Sequence, residues 1–247
     1  MEPKERIIFA LDVADNIEAM GLAEKLANLV GCFKIGLQRI FNMFRNGEWP
    51  AFRKFLNELN AEIFIDSKLN DIPNTIAGSA KEIAKLEPLF FNVHASSGIE
   101  AMKEAGKNSG NSRVLAVTVL TSLGEDEAHH IFGNPSKTKV LELAMDARLA
   151  GIGGIICSAQ ELKLLRKQKE LDGMLMVTPG IRPEWAAAGD QKRITTPREA
   201  ILDGADYLVI GRPIQNPPAE VGSPEKAAIH IASEIAAALE EKARKEK

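Results

Sequence analysis

The stretch Ile63-Phe64-Ile65-Asp66-Ser67-Lys68-Leu69-Asn70-Asp71 joins a short apolar run to a cluster of charges. The apolar run is typical of a buried strand. On an extended chain Asp66 and Lys68 point to the same face, and Asp71 follows in the loop before Pro73 opens a helix. Such charges are costly to remove from water unless they pair with each other or with a ligand. The stretch therefore predicts a buried strand that ends in a chemically active cluster.

The same pattern recurs along the chain, because short apolar runs alternate with amphipathic segments. The eight predicted strands are Ile7–Leu11, Cys32–Ile35, Ile63–Ile65, Leu89–Val93, Val114–Val119, Gly154–Cys157, Leu175–Val177 and Tyr207–Ile210. The predicted helices include Ile17–Leu29, Trp49–Leu59, Ile76–Leu86, Gly98–Ala105, Lys139–Ala150, Ala159–Gln168 and a last long helix over Pro224–Lys242. The strands are continuous apolar runs rather than alternating ones, which indicates a parallel sheet covered on both faces.

Eight strand–helix repeats in about 250 residues match the size of an α/β TIM (β/α)8 barrel. A doubly wound open sheet is the alternative architecture. No linker or low-complexity segment divides the chain, so we expect a single barrel domain over residues 1–247. A barrel makes a further demand, because functional residues should lie at the carboxyl ends of its strands.

Composition excludes several classes of function. The 247 residues are 45% hydrophobic with a net charge of -3, and no basic patch indicates a nucleic-acid partner. No apolar stretch approaches the roughly 18 residues that a membrane helix needs, and the first six residues are too polar for a signal peptide. Cys32 and Cys157 lie in apolar runs and are predicted to be buried thiols. We therefore expect a cytoplasmic protein with no membrane and no nucleic-acid partner.

Polar residues do follow the predicted strands, as a barrel requires. Asp12 ends the first run, Lys34 lies within the second, Asp66 and Lys68 end the third, His94 ends the fourth, Thr121 and Ser122 end the fifth, Arg182 follows the seventh, and Gly211 and Arg212 follow the eighth. Barrels commonly hold phosphate in the loops after strands seven and eight, which here carry Arg182, Gln191, Gly211 and Arg212. An arginine can donate two parallel hydrogen bonds to phosphate oxygens. Without the barrel context, Gly211-Arg212-Pro213 would more simply be interpreted as a turn.

The charges Asp12, Lys34, Asp66, Lys68 and Asp71 alternate in sign over three successive strand ends. They could be structural ion pairs that close the barrel mouth. Alternatively, a lysine between carboxylates keeps its proton, which suits a general acid better than a nucleophile that forms a Schiff base.

Other residues could orient a ligand. Thr121 and Ser122 offer hydroxyl groups to a polar ring edge, although they could also be structural caps, and Gln191 could bridge phosphate and base. The sequence contains no P-loop lysine with Ser/Thr, no G-x-G-x-x-G and no Cys/His zinc spacing. We therefore expect no metal and no cofactor.

Several stretches together resemble the orotidine 5′-phosphate decarboxylase family along almost the whole chain. The matching stretches are Phe9-Ala-Leu-Asp12, Phe33-Lys34-Ile-Gly36, Asp66-Ser-Lys68-Leu-Asn-Asp71-Ile-Pro-Asn-Thr75, Val93-His-Ala95, Val117-Thr-Val-Leu-Thr-Ser122, Thr178-Pro-Gly-Ile-Arg182-Pro183, Asp190-Gln191-Lys-Arg193 and Gly204-Ala-Asp-Tyr-Leu-Val-Ile-Gly-Arg212-Pro-Ile214. The resemblance implies conversion of orotidine 5′-monophosphate to uridine 5′-monophosphate and CO2, the last step of de novo pyrimidine synthesis, without cofactor or metal.

The resemblance also implies roles for individual residues. Lys68 is expected to protonate C6 and Asp66 to face the substrate carboxylate. Asp71 and Thr75 are expected to reach the partner subunit's site in a homodimer with shared active sites. Asp12 and Lys34 are expected to bind the ribose hydroxyl groups, and Thr121 and Ser122 to contact the pyrimidine. The phosphate is expected to be held by Arg182, Gln191, Gly211 and Arg212.

Three alternatives stay open at this point. The first is another enzyme on the same scaffold, such as 3-keto-L-gulonate 6-phosphate decarboxylase or hexulose-6-phosphate synthase, which resembles the chain in Asp-x-Lys-x-x-Asp but uses magnesium. The Pro-Gly-Ile-Arg-Pro and Asp-Gln-x-Arg segments favour the orotidine enzyme. A non-catalytic protein that binds a phosphoribosyl ligand, and an unrelated phosphate-binding barrel of tryptophan or histidine synthesis, rank lower.

Overall fold

The computed structural model describes residues 1–186 and 195–245. Its eight parallel strands follow one another in chain order around a closed barrel. The strands are β1 (Ile7–Ala10), β2 (Cys32–Ile35), β3 (Ile63–Leu69), β4 (Phe90–His94), β5 (Arg113–Val117), β6 (Gly154–Ile156), β7 (Leu175–Pro179) and β8 (Tyr207–Ile210). The predicted TIM barrel is confirmed, and the doubly wound sheet is excluded.

Helices follow the strands. They are α1 (Asn16–Leu26), α2 (Leu37–Asn46), α3 (Trp49–Glu58), α4 (Pro73–Ala84), α5 (Ile99–Lys107), α6 (Glu125–Phe132), α7 (Ser136–Leu149), α8 (Leu162–Leu165), α9 (Pro197–Asp203), α10 (Arg212–Gln215) and α11 (Pro224–Lys245). Short 3-10 turns lie at Pro3–Arg6, Ala95–Ser97, Ala159–Glu161 and Lys169–Leu171. None of the helices in the two described ranges is long and apolar enough to cross a membrane.

Two element boundaries differ from the sequence prediction in ways that matter for function. The strand predicted over Ile63–Ile65 continues to Leu69, so the charged cluster begins inside β3 and not in the following loop. The strand predicted over Val114–Val119 ends at Val117, where the hydroxyl of Thr118 donates a hydrogen bond to the carbonyl oxygen of Ile156. The backbone N–H of Thr118 donates to the same oxygen at 3.2 Å, so the two bonds together hold the end of β5 against β6.

The chain groups into two compact units, and the first comprises Met1–Asp66, Ile181–Leu202 and Tyr207–Lys247. Here β1 pairs with both β2 and β8, with Phe9 opposite Phe33 on one side and Ile210 on the other. The rings of Phe9 and Phe33 meet edge to face at 6.1 Å. Both side chains are fully buried, so this pair lies at the centre of the unit's apolar core.

The second unit comprises Ser67–Gly180 and Asp203–Asp206. Strands β4 to β7 pair in parallel, with Val93 opposite Ala116 and Ile155 opposite both Ala116 and Met176. Cys157 follows β6 as a free, buried thiol, as predicted, and burial raises its pKa far above the ordinary range. The expectation of a single domain over residues 1–247 stays a prediction.

Candidate active site

Within the first unit, three predicted site residues form an ion cluster in which Lys34 and Asp66 are buried and Asp12 is exposed. The ammonium of Lys34 on β2 lies 3.1 Å from Oδ1 of Asp12 and 3.2 Å from Oδ2 of Asp66. Parallel pairing brings them together, because Ala10 of β1 lies opposite Lys34, and Ile35 lies opposite Ile65 on β3. Asp12 therefore follows the end of one neighbouring strand, and Asp66 continues the other.

The two carboxylates differ in their exposure to water. The side chain of Asp66 is 9% exposed, whereas that of Asp12 is 56% exposed. Burial by itself would lower the pKa of Lys34, but the charges of Asp66 and Asp12 and their hydrogen bonds outweigh it and raise that pKa above its ordinary value. Lys34 is therefore a permanent cation, which can bind and orient but cannot act as a neutral nucleophile.

Gly36 leaves room for this ion cluster. A Cβ atom at position 36 would lie 3.0 Å from Oδ1 of Asp12 and 3.4 Å from Nζ of Lys34. Its φ of -82° is open to any residue, so the constraint is space and not backbone conformation. The lack of space for a side chain therefore explains the glycine in the Phe33-Lys34-Ile-Gly36 stretch.

Arg39 supports the loop that carries Asp12, and the sequence analysis did not single it out. Its guanidinium is buried and donates hydrogen bonds to the carbonyl oxygens of Val13 and Asp15 and to Oδ1 of Asn16, at 3.3, 3.4 and 2.6 Å. It also lies 4.4 Å from the ring centroid of Phe52 on α3. Burial lowers the pKa of Arg39 from its ordinary value.

Within the second unit, Lys68 has an unusual backbone. Its φ is +46°, in the left-handed region that side chains other than glycine seldom adopt. Its N–H donates to Oδ1 of Asn92 at 2.6 Å, and the hydroxyl of Ser67 donates to the carbonyl oxygen of Asn92 at 2.9 Å. The extended geometry assumed from the sequence stops at Lys68, so strand alternation no longer fixes the direction of its side chain.

Asp71 and Thr75 lie on the surface of the described chain. Asp71 uses Oδ1 to accept the N–H of Ile72 at 2.7 Å, just before Pro73 opens α4, and Thr75 lies in the first turn of that helix. The side chain of Ile72 is also largely exposed, which is unusual for isoleucine. Their exposure leaves Asp71 and Thr75 available to a partner molecule.

Thr121 and Ser122 lie in an exposed turn beyond the end of β5, so their hydroxyl groups are accessible to a ligand. The prediction placed them at the end of the fifth strand. In the structure β5 ends at Val117, so the three residues Thr118–Leu120 separate them from the strand.

The predicted phosphate residues of the first unit follow β7 and β8. Gly211 directly follows β8 and precedes α10, and a Cβ atom there would lie 3.3 Å from that of Ala10. Arg212 opens α10 with an exposed side chain, whereas Arg182 is buried and its N–H donates to the carbonyl oxygen of Thr195 at 3.0 Å. Gln191 lies outside the described residues. Across the described part of the chain, no group of three or more His, Cys, Asp or Glu side chains is arranged to hold a metal ion.

Comparison with known proteins identifies the family of the chain. The family model described as Orotidine 5′-phosphate decarboxylase / HUMPS family matches residues 5–227. The chain is 39% identical to the orotidine 5′-phosphate decarboxylase of Syntrophomonas wolfei, with 95% of this chain and 99% of that protein covered. It is 41% identical to the enzyme of the same name from Geotalea uraniireducens, with 96% and 97% covered.

A solved structure gives the same assignment. The crystal structure of orotidine 5′-phosphate decarboxylase from Lactobacillus acidophilus superposes with a TM-score of 0.76 at 32% identity, covering 93% of this chain and 98% of that one. The family match spans most of the chain, and the relatives match over nearly their full lengths. The chain therefore belongs to the orotidine 5′-phosphate decarboxylase / HUMPS family.

Proposed function

We propose that this chain decarboxylates orotidine 5′-monophosphate to uridine 5′-monophosphate, as the last step of de novo pyrimidine synthesis, in the cytoplasm and without metal or cofactor. The observation that carries the proposal is the Asp12–Lys34–Asp66 ion cluster on the first strands of a barrel from this family. Its members belong to the stretches on which the resemblance rests.

Decarboxylation requires a proton but no oxidant. When the bond between C6 and the carboxylate carbon breaks, the electron pair stays on C6 and CO2 leaves. Lys68 gives its proton to C6 and is protonated again from solvent. Asp66 faces the substrate carboxylate, and Lys34 balances the charge of Asp66 while Asp12 and Lys34 bind the ribose hydroxyl groups. Lys34 fits this supporting role because its raised pKa keeps it charged.

The phosphate is held remotely from C6 by Arg182, Gln191, Gly211 and Arg212. The exposed Arg212 at the start of α10 supports this assignment, since its guanidinium is accessible to an anion. Thr121 and Ser122 orient the pyrimidine. Interactions with the phosphate can be used to orient the reacting ring, so a substrate without phosphate is expected to lose turnover as well as affinity.

The active form is a homodimer in which Asp71 and Thr75 act in the partner's site. An exposed apolar stripe on α2 supports self-association, because Leu37, Phe41 and Phe44 are 42%, 66% and 83% exposed at helical spacing. A second copy of the chain would cover these side chains. Sedimentation should therefore show a dimer that Phe41→Gln with Phe44→Gln shifts toward monomer, and an unchanged dimer would contradict this surface.

The decisive test is loss of the orotidine 5′-monophosphate absorbance on addition of the protein in the presence of EDTA. Turnover that EDTA abolishes would favour a magnesium-dependent member of the same family. Absence of turnover in either condition, from a correctly folded preparation, would refute the proposed reaction.

Two variants test the residue roles. Lys68→Ala should abolish turnover while uridine 5′-monophosphate still binds, and ordinary turnover would refute the proton-donor assignment. Arg212→Ala should weaken binding of uridine 5′-monophosphate far more than binding of uridine, so equal effects on both would argue against the phosphate role.

Sharing of sites is tested by mixing variants. Heterodimers of Asp71→Asn with Lys68→Ala should recover partial activity, because one of the two sites then has an intact Lys68 and an intact Asp71 from the partner. No recovery in demonstrated heterodimers would refute the shared site.

A further inference from the structure

Asn92 is a fully buried amide in the middle of β4, and none of the roles above involves it. Its two oxygen atoms accept bonds from two consecutive residues of β3. Oδ1 accepts the N–H of Lys68 at 2.6 Å, and the carbonyl oxygen accepts the hydroxyl of Ser67 at 2.9 Å. The same hydroxyl lies 3.5 Å from Oδ1. One residue therefore holds the segment of β3 that ends in Lys68.

The backbone that Asn92 holds is strained. Among the described residues, positive φ angles without glycine occur at Asn60, Lys68 and Glu87. Asn60 and Glu87 lie just after helices α3 and α4, where left-handed residues commonly end a helix. Lys68 instead lies inside a strand. Strained residues of this kind persist only where neighbouring groups impose the conformation, and they concentrate at functional sites.

We propose that Asn92 is the positioning residue for Lys68, acting through the Lys68 N–H to hold its backbone in the left-handed conformation from which the side chain reaches C6. The proposal rests on the proposed function, because it takes Lys68 as the proton donor. A general acid must lie within hydrogen-bonding reach of the atom that it protonates. Asn92 contacts the backbone N–H of Lys68, so the effect that we assign to it is on geometry alone.

The chemistry of the asparagine suits this task. The N–H of Lys68 is partly buried and needs an acceptor, and the amide oxygen supplies one without adding a charge beside the lysine. A leucine of similar size would fill the space but leave the N–H of Lys68 without this acceptor, which favours relaxation of the strained backbone. Misplacement of a catalytic group by about 1 Å can cost about 100-fold in rate.

The test compares Asn92→Leu, Asn92→Asp and a control with the wild type. Asn92→Leu should lower kcat by about 100-fold, while the KM and the affinity for uridine 5′-monophosphate change by less than about threefold. Asn92→Asp keeps an oxygen acceptor, so its kcat should be at least about tenfold higher than that of Asn92→Leu. Wild-type kcat in Asn92→Leu, or equal losses in both variants, would overturn the proposal.

Asp206 provides a matched control, because it accepts a backbone N–H near the amino end of a different strand, β7. Its Oδ2 accepts the N–H of Met176 near the start of β7 at 2.7 Å, and also pairs with Arg166. Asp206→Ala removes a side-chain acceptor of a strand N–H away from the carboxyl ends, so it should lower thermal stability but leave kcat unchanged. If kcat falls equally in Asp206→Ala, the effect of Asn92→Leu is general destabilisation and the proposal fails.

A measurement on the wild type covers the case in which Asn92→Leu does not fold. The amide of Lys68 should exchange with solvent deuterium slowly in NMR spectra, and exchange at the rate of an exposed loop amide would overturn the proposal. This result is independent of activity. A wild type that protects the Lys68 amide but does not turn over orotidine 5′-monophosphate would refute the proposed function and leave the hydrogen bond established.

Discussion

Replacing Lys34 by methionine should destabilise the protein chiefly through Asp66. Two unit charges 3.2 Å apart, the separation of Lys34 Nζ and Asp66 Oδ2, attract by about 5 kcal/mol at an effective dielectric constant of about 20. At the similar separation from the half-exposed Asp12, the dielectric constant is closer to that of water and the attraction falls to about 1 kcal/mol. Desolvation offsets part of the larger value, so Lys34→Met should cost about 3 kcal/mol.

The assay is urea unfolding near neutral pH, followed by circular dichroism. In thermal unfolding, a fall of about 3 kcal/mol in the free energy of unfolding would lower the Tm of a chain of this length by about 6–12 °C. Double-mutant cycles with Asp66→Asn and Asp12→Asn then measure each pair separately. The coupling of Lys34 to Asp66 should be at least about 2 kcal/mol, and that of Lys34 to Asp12 less than about 1 kcal/mol. Equal couplings, despite the difference in burial of the two carboxylates, would refute the reasoning.

Packing and charge also predict the stability changes caused by three further substitutions. Gly154→Ala puts a Cβ atom 2.8 Å from the Cβ of Leu175 on β7, so it should lower the free energy of unfolding in urea by about 1–3 kcal/mol. At Gly153 the space is open, and alanine should change that free energy by less than about 0.5 kcal/mol. Equal changes at the two positions would contradict the packing argument. Burial, with a smaller effect of Glu184, raises the pKa of Glu234 from 4.5 to about 6, so the wild type loses stability as pH rises from the lower to the higher of these values. Glu234→Gln should therefore match the wild type near pH 4 and exceed it by up to about 1 kcal/mol near pH 7.5, after allowance for solvent screening, and a constant difference across that range would argue against the titration. Arg39→Met removes three hydrogen bonds from the loop after β1 and should cost about 2 kcal/mol in urea unfolding, so an unchanged midpoint would contradict that supporting role.

The strands were largely predictable from the sequence, because continuous apolar runs are a local property of the chain. The bounds of β2 and β8 agree with the predicted runs residue for residue. Helix α2 was not predicted, since its buried positions include Arg39 and its exposed face carries Phe41 and Phe44. That arrangement reverses the usual amphipathic pattern, so periodicity gave no signal.

The charged residues at the strand ends could be picked out from the sequence as candidates, but the residues that contact and support them could not. An arginine on a helix is usually exposed, and only the packing of Phe52 and the loop after β1 shows that Arg39 is buried. Asn92 offered a weak signal, because it is a polar residue inside the apolar run Leu89–Val93. Buried polar side chains generally have hydrogen-bonding partners, but the sequence could not indicate that the partner is the N–H of Lys68.

The sequence by itself determined the class of fold and the chemical types available at the strand ends. Both follow from spacing and composition, which are read along the chain. The tertiary structure decided which charges pair, how deeply each is buried and where the backbone is strained. These properties depend on strand register and on neighbours distant in sequence, as with Lys34 and its two carboxylates. Lys68 was identifiable from its motif, but its left-handed backbone and its bond to Asn92 exist only in the folded chain.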